Sequence, residues 1–148
     1  MGVEMVDITG KNEVYREAVA EGFIRLRPET VSAMVEGRVP KGDVSTAAQL
    51  AAINAVKKTP ELILLAHPIP VTSVDVKIEP LEESVKVTVT VRATAKTGVE
   101  LEALTGVMAA LLTIFDMCKQ LEKDEGGQYP STVITDIRVI RKVKATTR

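Results

Sequence analysis

Residues 84–94, SVKVTVTVRAT, alternate strictly between apolar and polar side chains. Successive side chains of a strand point to opposite faces, so this run reads as a strand with one face buried. Residues 71–78, VTSVDVKI, alternate in the same way, and EPLEE separates the two runs. Together they predict a β-hairpin whose apolar face must be covered by another element. The chain supplies a cover. Residues 99–123, VELEALTGVMAALLTIFDMCKQLEK, carry the longest helical pattern, apolar nearly all round in the middle.

The remaining elements follow from local signals. Residues 14–27, VYREAVAEGFIRLR, alternate in part and read as a strand. Pro28 suits the first turn of a helix, Glu29 favours its positive end, and Gly37 is a natural stop. Residues 38–43, RVPKGD, form a loop, after which Asp43 or Ser45 caps a helix over about 45–58. Residues 59–70, TPELILLAHPIP, hold three prolines and read as a buried irregular connector. Residues 1–13 read as irregular. DEGGQYP ends the long helix, and VITDIRVIRKVK is the last strand. The order of strand, two helices, hairpin, long helix and strand predicts an α+β fold. Helices pack on one face of an antiparallel sheet, in a ferredoxin-like arrangement.

Length and composition narrow the class. A chain of 148 residues suits one domain, 1–148, and 45% apolar residues suit a globular core. With 3% aromatic residues and no Trp, that core is built from Val, Ile, Leu and Ala. The formal charge of −1 leaves no basic surplus for a nucleic-acid backbone, so no nucleic-acid partner is expected. Cys118 is the single cysteine, which excludes an internal disulfide. The first ten residues lack a signal pattern, and no stretch reads as a membrane span of ~20 apolar residues. A soluble, cytoplasmic protein without a membrane partner is the expectation.

Some residues can carry chemistry. His67, the only histidine, sits between prolines in LLAHPIP. It is either a buried structural histidine with one satisfied nitrogen or a rigidly presented ligand contact or proton donor, a role that suits the histidine side chain in general. Asp116 and Lys119 lie three apart and share a helix face. They form either a solvated ion pair or a base and phosphate anchor beside the apolar middle of the helix. Glu100 and Glu102 complement the start of the same helix. Lys41, in VPKGD, can meet a phosphate, and Gly42 lets the backbone approach it, although no P-loop is present. Lys11 and Arg16 are cations without specificity of their own. One His and one Cys do not make a metal shell, so no metal site is expected.

One geometric point constrains any shared role. Glu102 and Asp116 are fourteen residues apart, which a straight helix turns into ~21 Å. They cannot both touch one small ligand from one chain. A site that used both would need a second subunit, hence a homo-oligomer.

Several segments in order carry a family resemblance: MVDITGK at 5–11, YREA at 15–18, KGDV at 41–44, LLAHP at 64–68, KTGVELEALT at 96–105 and DMCK at 116–119. The chain resembles the molybdenum cofactor biosynthesis protein C family, the cyclic pyranopterin monophosphate synthases. The resemblance implies conversion of 3′,8-cyclo-7,8-dihydro-GTP to cyclic pyranopterin monophosphate. Pyrophosphate is released and no metal or other cofactor is needed. It implies ferredoxin-like subunits in a homohexamer, a trimer of dimers, with sites at subunit interfaces. By matched motif it makes Asp116 the acid/base, with Lys119 and Lys41 as active-site lysines. It puts substrate contacts at Leu65, Ala66 and His67, and at Leu101 and Glu102 with Glu100 beside them. Arg16 and Lys11 fall near the phosphates. Bacterial members often have Cys where Ala66 stands and Met where Leu101 stands. They often end in a basic GGKSG-like segment, which this chain lacks; Arg141, Lys142 and Lys144 are the nearby cations. The competing readings are a nucleotide- or pterin-binding regulatory module without turnover and a scaffold subunit of a pterin-forming complex.

Overall fold

Every second residue from position 85 to 95 does turn to one side: Val85, Val87, Val89, Val91, Ala93 and Ala95 are all buried. In the computed structural model, which describes residues 1–145, they line the inner face of a four-stranded sheet. The elements are β1 (Val14–Arg25), α1 (Pro28–Val35), α2 (Val44–Lys57), α3 (Thr59–Leu62), β2 (Val71–Pro80), β3 (Ser84–Ala95), α4 (Glu100–Glu122) and β4 (Val133–Ala145). The sheet order is β2-β3-β1-β4, and every neighbouring pair is antiparallel. This is a split β-α-β-β-α-β arrangement, the ferredoxin-like fold, in which β3 and β1 occupy the centre. Residues 146–148 of the expected domain lie outside the described residues.

Small side chains let the layers meet. Ala18, Ala20 and Ile24 of β1 join the β3 valines beneath α4, which contributes Ala103, Val107, Ala110, Leu111 and Ile114. Gly22 sits where α4 presses closest. A Cβ there would stand 2.8 Å from Val107 and 2.9 Å from both Leu111 and Ile137. Ala48, Ala52 and Val56 of α2 complete the core from the side. By length and mean hydropathy α4 would also pass as a membrane span, contrary to the expectation that no stretch would. Half of it is buried inside this protein, because it is the core helix of the fold.

The connector after α2 differs from the expected buried, irregular chain. It contains one helical turn, α3, and Leu62 and Leu64 are exposed. Pro60 falls at the start of that turn, where its missing N–H costs nothing. The last strand runs to Ala145, as the pattern over 133–144 predicts, so Arg141, Lys142 and Lys144 lie in β4 and pair with β1.

Buried polar groups tie the element ends together. The Glu122 carboxylate, at the last position of α4, accepts from the Arg27 backbone N–H at 3.0 Å and from the Thr30 hydroxyl. Its other oxygen accepts from the Thr132 hydroxyl at 2.6 Å. One side chain thus fixes the start of α1 and the turn before β4 to the end of α4.

Candidate active site

The sequence-derived candidates separate into two groups at opposite ends of α4. The first lies at the C-terminal end. Asp43 caps α2 by accepting from the Thr46 N–H at 3.1 Å, which sets the exit of the loop after α1. Gly42 adopts φ +120°, a conformation that side-chain-bearing residues rarely take. Lys41, one residue earlier, reaches across to α4. Its Nζ donates to Asp116 Oδ1 and to the Asp116 backbone carbonyl, each at 3.0 Å. Lys119 Nζ stands 3.5 Å from the same Oδ1, one helical turn on.

Asp116 is therefore a carboxylate held between two ammonium groups. The Lys41 hydrogen bond, its charge and the Lys119 charge hold its pKa below the ordinary aspartate value. With the Asp116 side chain 58% exposed, the trio is open to solvent and to a ligand. Two cations around one anion leave a net positive patch, suited to an anionic group such as a phosphate.

The second group lies at the N-terminal end of α4 and surrounds a cavity of about 400 Å³. Leu65, Ala66 and His67 form one wall, Leu101 and Glu102 another, and Lys11 a third. Five of the expected contact residues and one of the expected cations thus meet in a single cavity. The proline-bounded connector places His67. Its Nε2 lies 2.6 Å from the Val6 carbonyl oxygen, which can only accept, so Nε2 carries a hydrogen.

Glu102 is 3% exposed yet lines this cavity. Desolvation raises its pKa above the ordinary glutamate value, and the Glu100 charge adds to the effect. It is a buried acid beside a cavity, a position where a proton can be held.

Two candidates stand outside the cavity wall. Glu100 accepts from Lys142 Nζ of β4 at 3.1 Å. Arg16 is buried, and its guanidinium donates to the carbonyls of Ala95 and Lys96 at 3.2 and 3.1 Å. Arg16 thereby braces the segment that leads into Gly98 and α4.

Sequence reasoning missed part of the cavity wall. Val6 and Ile8 from the first segment, and Thr97 and Gly98 before α4, also line it. The available signal was adjacency, since all four fall within MVDITGK or KTGVELEALT. Among the described residues, no three His, Cys, Asp or Glu side chains come together as metal ligands do.

The chain is a ferredoxin-like α+β protein with a lysine-flanked carboxylate at one end of its core helix and a histidine-lined cavity of small-molecule size at the other. A family model described as the MoaC family matches residues 5–145, and the chain belongs to that family. It is similar to a protein of Pyrococcus abyssi (strain GE5 / Orsay) named "Probable cyclic pyranopterin monophosphate synthase", 59% identical over 97% of this chain and 90% of that protein. Proteins of the same name from Aeropyrum pernix and Archaeoglobus fulgidus are 59% and 56% identical. These matches cover 97% and 96% of this chain, and 98% and 91% of the relatives. The chain is an enzyme of molybdenum cofactor biosynthesis.

Proposed function

We propose that this enzyme converts 3′,8-cyclo-7,8-dihydro-GTP to cyclic pyranopterin monophosphate and releases pyrophosphate. The observation that carries the reading is the Asp116 carboxylate held between Lys41 and Lys119. The lysines bind the triphosphate and stabilise the charge that builds as pyrophosphate leaves. A sugar hydroxyl attacks the α-phosphorus, and its proton passes to Asp116. Substrate phosphates draw the lysines away from Asp116. That removes the cause of its lowered pKa and makes it a better base. His67, Leu65, Ala66, Leu101 and Glu102 hold the ring system, with Glu102 able to keep a proton for the ring-rebuilding steps. Lys11 adds positive charge to that cavity.

The two groups stand at the two ends of a 23-residue helix. One substrate spans them only if the cavity of one chain faces the lysine trio of another. The reading therefore includes sites shared between chains of a homo-oligomer; the family resemblance makes that a homohexamer, a trimer of dimers, and the proposed place of action is the cytoplasm.

The test is anaerobic incubation of purified protein with 3′,8-cyclo-7,8-dihydro-GTP. Release of pyrophosphate together with cyclic pyranopterin monophosphate supports the reading. Tight binding without release would assign a regulatory binding module instead.

A further inference from the structure

The cavity around His67 has one wall unlike the others. Ile69 packs against the core at one wall, and Thr97 to Glu102 leads into α4, with Val99 fully buried. The remaining wall is residues 4–11, a segment with no strand or helix pairing of its own. Its apolar side chains bury little: Val6 is 71% and Met5 45% exposed. What fastens it is polar and sparse. The Val6 carbonyl accepts from His67 Nε2, and the Thr9 carbonyl accepts from Lys96 Nζ at 3.3 Å. A turn closes on itself from the Lys11 N–H to the Ile8 carbonyl at 3.0 Å. Concave space adjoins the segment in two places: the cavity described above, and a second hollow that shares Val6, Ile8 and His67 with it and reaches Lys96.

A segment tethered by two hydrogen bonds and the charge of Asp7 near His67 and Lys96, with hollows beside it, can swing without unpacking the core. We propose that residues Glu4–Lys11 are a movable strap over the His67 cavity, latched by the Val6 carbonyl on His67, and that ligand entry and product departure require the latch to open. The inference rests on the reading that this cavity takes the ring system of the substrate. The latch gives His67 two competing partners. With the strap closed and the cavity empty, Nε2–H is satisfied by Val6. A ligand that takes that hydrogen bond releases the strap, so the strap position follows occupancy.

The test uses the thiol introduced by Ile8→Cys, a half-buried position that lines both hollows beside the strap and becomes more accessible when the strap lifts. Cys118 is fully buried and does not compete. Labelling rates report strap opening with no need for turnover. Adding Lys96→Met removes the Thr9 anchor, and labelling should accelerate at least threefold. Saturating 3′,8-cyclo-7,8-dihydro-GTP, in an Asp116→Asn background that holds it unreacted, should change the labelling rate at least tenfold. A protein lacking residues 1–8 should bind and release that ligand at least tenfold faster, with a smaller change in the single-turnover chemical step. Labelling unmoved by Lys96→Met and by bound ligand, with unchanged ligand kinetics in the shortened protein, overturns the strap. Failure of the function reading looks different: the unaltered enzyme neither binds nor turns over the ligand, while Lys96→Met still frees the strap.

Discussion

Lys41 Nζ and Asp116 Oδ1 meet at 3.0 Å although 75 residues separate them in the chain. The contact joins the loop before α2 to the last turns of α4, so the fold itself assembles the trio. Being exposed, the pair contributes little to stability, within about 1 kcal/mol. Its charge pattern is what matters for reaction. Asp116→Asn should leave thermal unfolding nearly unchanged and lower kcat by about 100-fold or more. Pyrophosphate release measured beside circular dichroism melts checks both.

The same pair predicts a pH dependence. Lys41 holds the native Asp116 pKa below the ordinary 3.8, so in the free enzyme the carboxylate stays charged through mildly acid pH. Any Asp116 acid limb in kcat/KM should therefore lie below about pH 4. Lys41→Met removes the largest cause of the depression and should move that limb upward. A profile with the limb unmoved in Lys41→Met would show that another group sets it.

Glu102 behaves in the opposite sense. Its native pKa is raised above 4.5 by burial. Such a group adds its full stability below the unfolded-state value, and that contribution is lost as pH rises through the native value. Glu102→Gln cannot ionise. It should be more stable than the unaltered protein at pH 7, with the gap closing as pH falls towards about 4.5. Denaturant melts at three pH values test this, and a gap independent of pH would contradict it.

The length of α4 makes a prediction about assembly. If Glu102 of one chain and Asp116 of another serve one site, Glu102→Ala and Asp116→Ala proteins are each inactive alone. Mixed under conditions of subunit exchange, they should recover part of the activity through hybrid sites. Proven exchange without recovery would exclude shared sites.

Glu122 should act on stability alone. Its buried carboxylate accepts from Arg27, Thr30 and Thr132, so Glu122→Ala leaves three donors without their partner. A loss of about 2–4 kcal/mol is expected by denaturant unfolding, with kcat of the folded fraction preserved.

Much of this was legible in the sequence, for physical reasons that also mark the limit. The β3 alternation marks a strand because burial on one face imposes period two, and the element order points to the ferredoxin-like class, while the order β2-β3-β1-β4 comes from long-range pairing. His67, Leu101 and Glu102 were found one by one, yet their meeting in one cavity depends on packing between α4 and the connector. Glu122 carried no signal of its own in the sequence. Nothing local tells that Thr30 and Thr132 close over it from 92 and 10 residues away. Arg16 read as a phosphate cation, but its partners are two backbone carbonyls about 80 residues on. The Val6 contact to His67 spans 61 residues and involves a carbonyl oxygen, which every residue has and no pattern marks.

The unbroken run of α4 from Glu102 to Asp116 also works as a gauge. One residue added between them would turn the Asp116 end by about 100° and slide it about 1.5 Å relative to the cavity end. Lys41 would lose its partner and any neighbouring chain its registration. The stretch should therefore tolerate exchange of side chains on its exposed side far better than any change in its length.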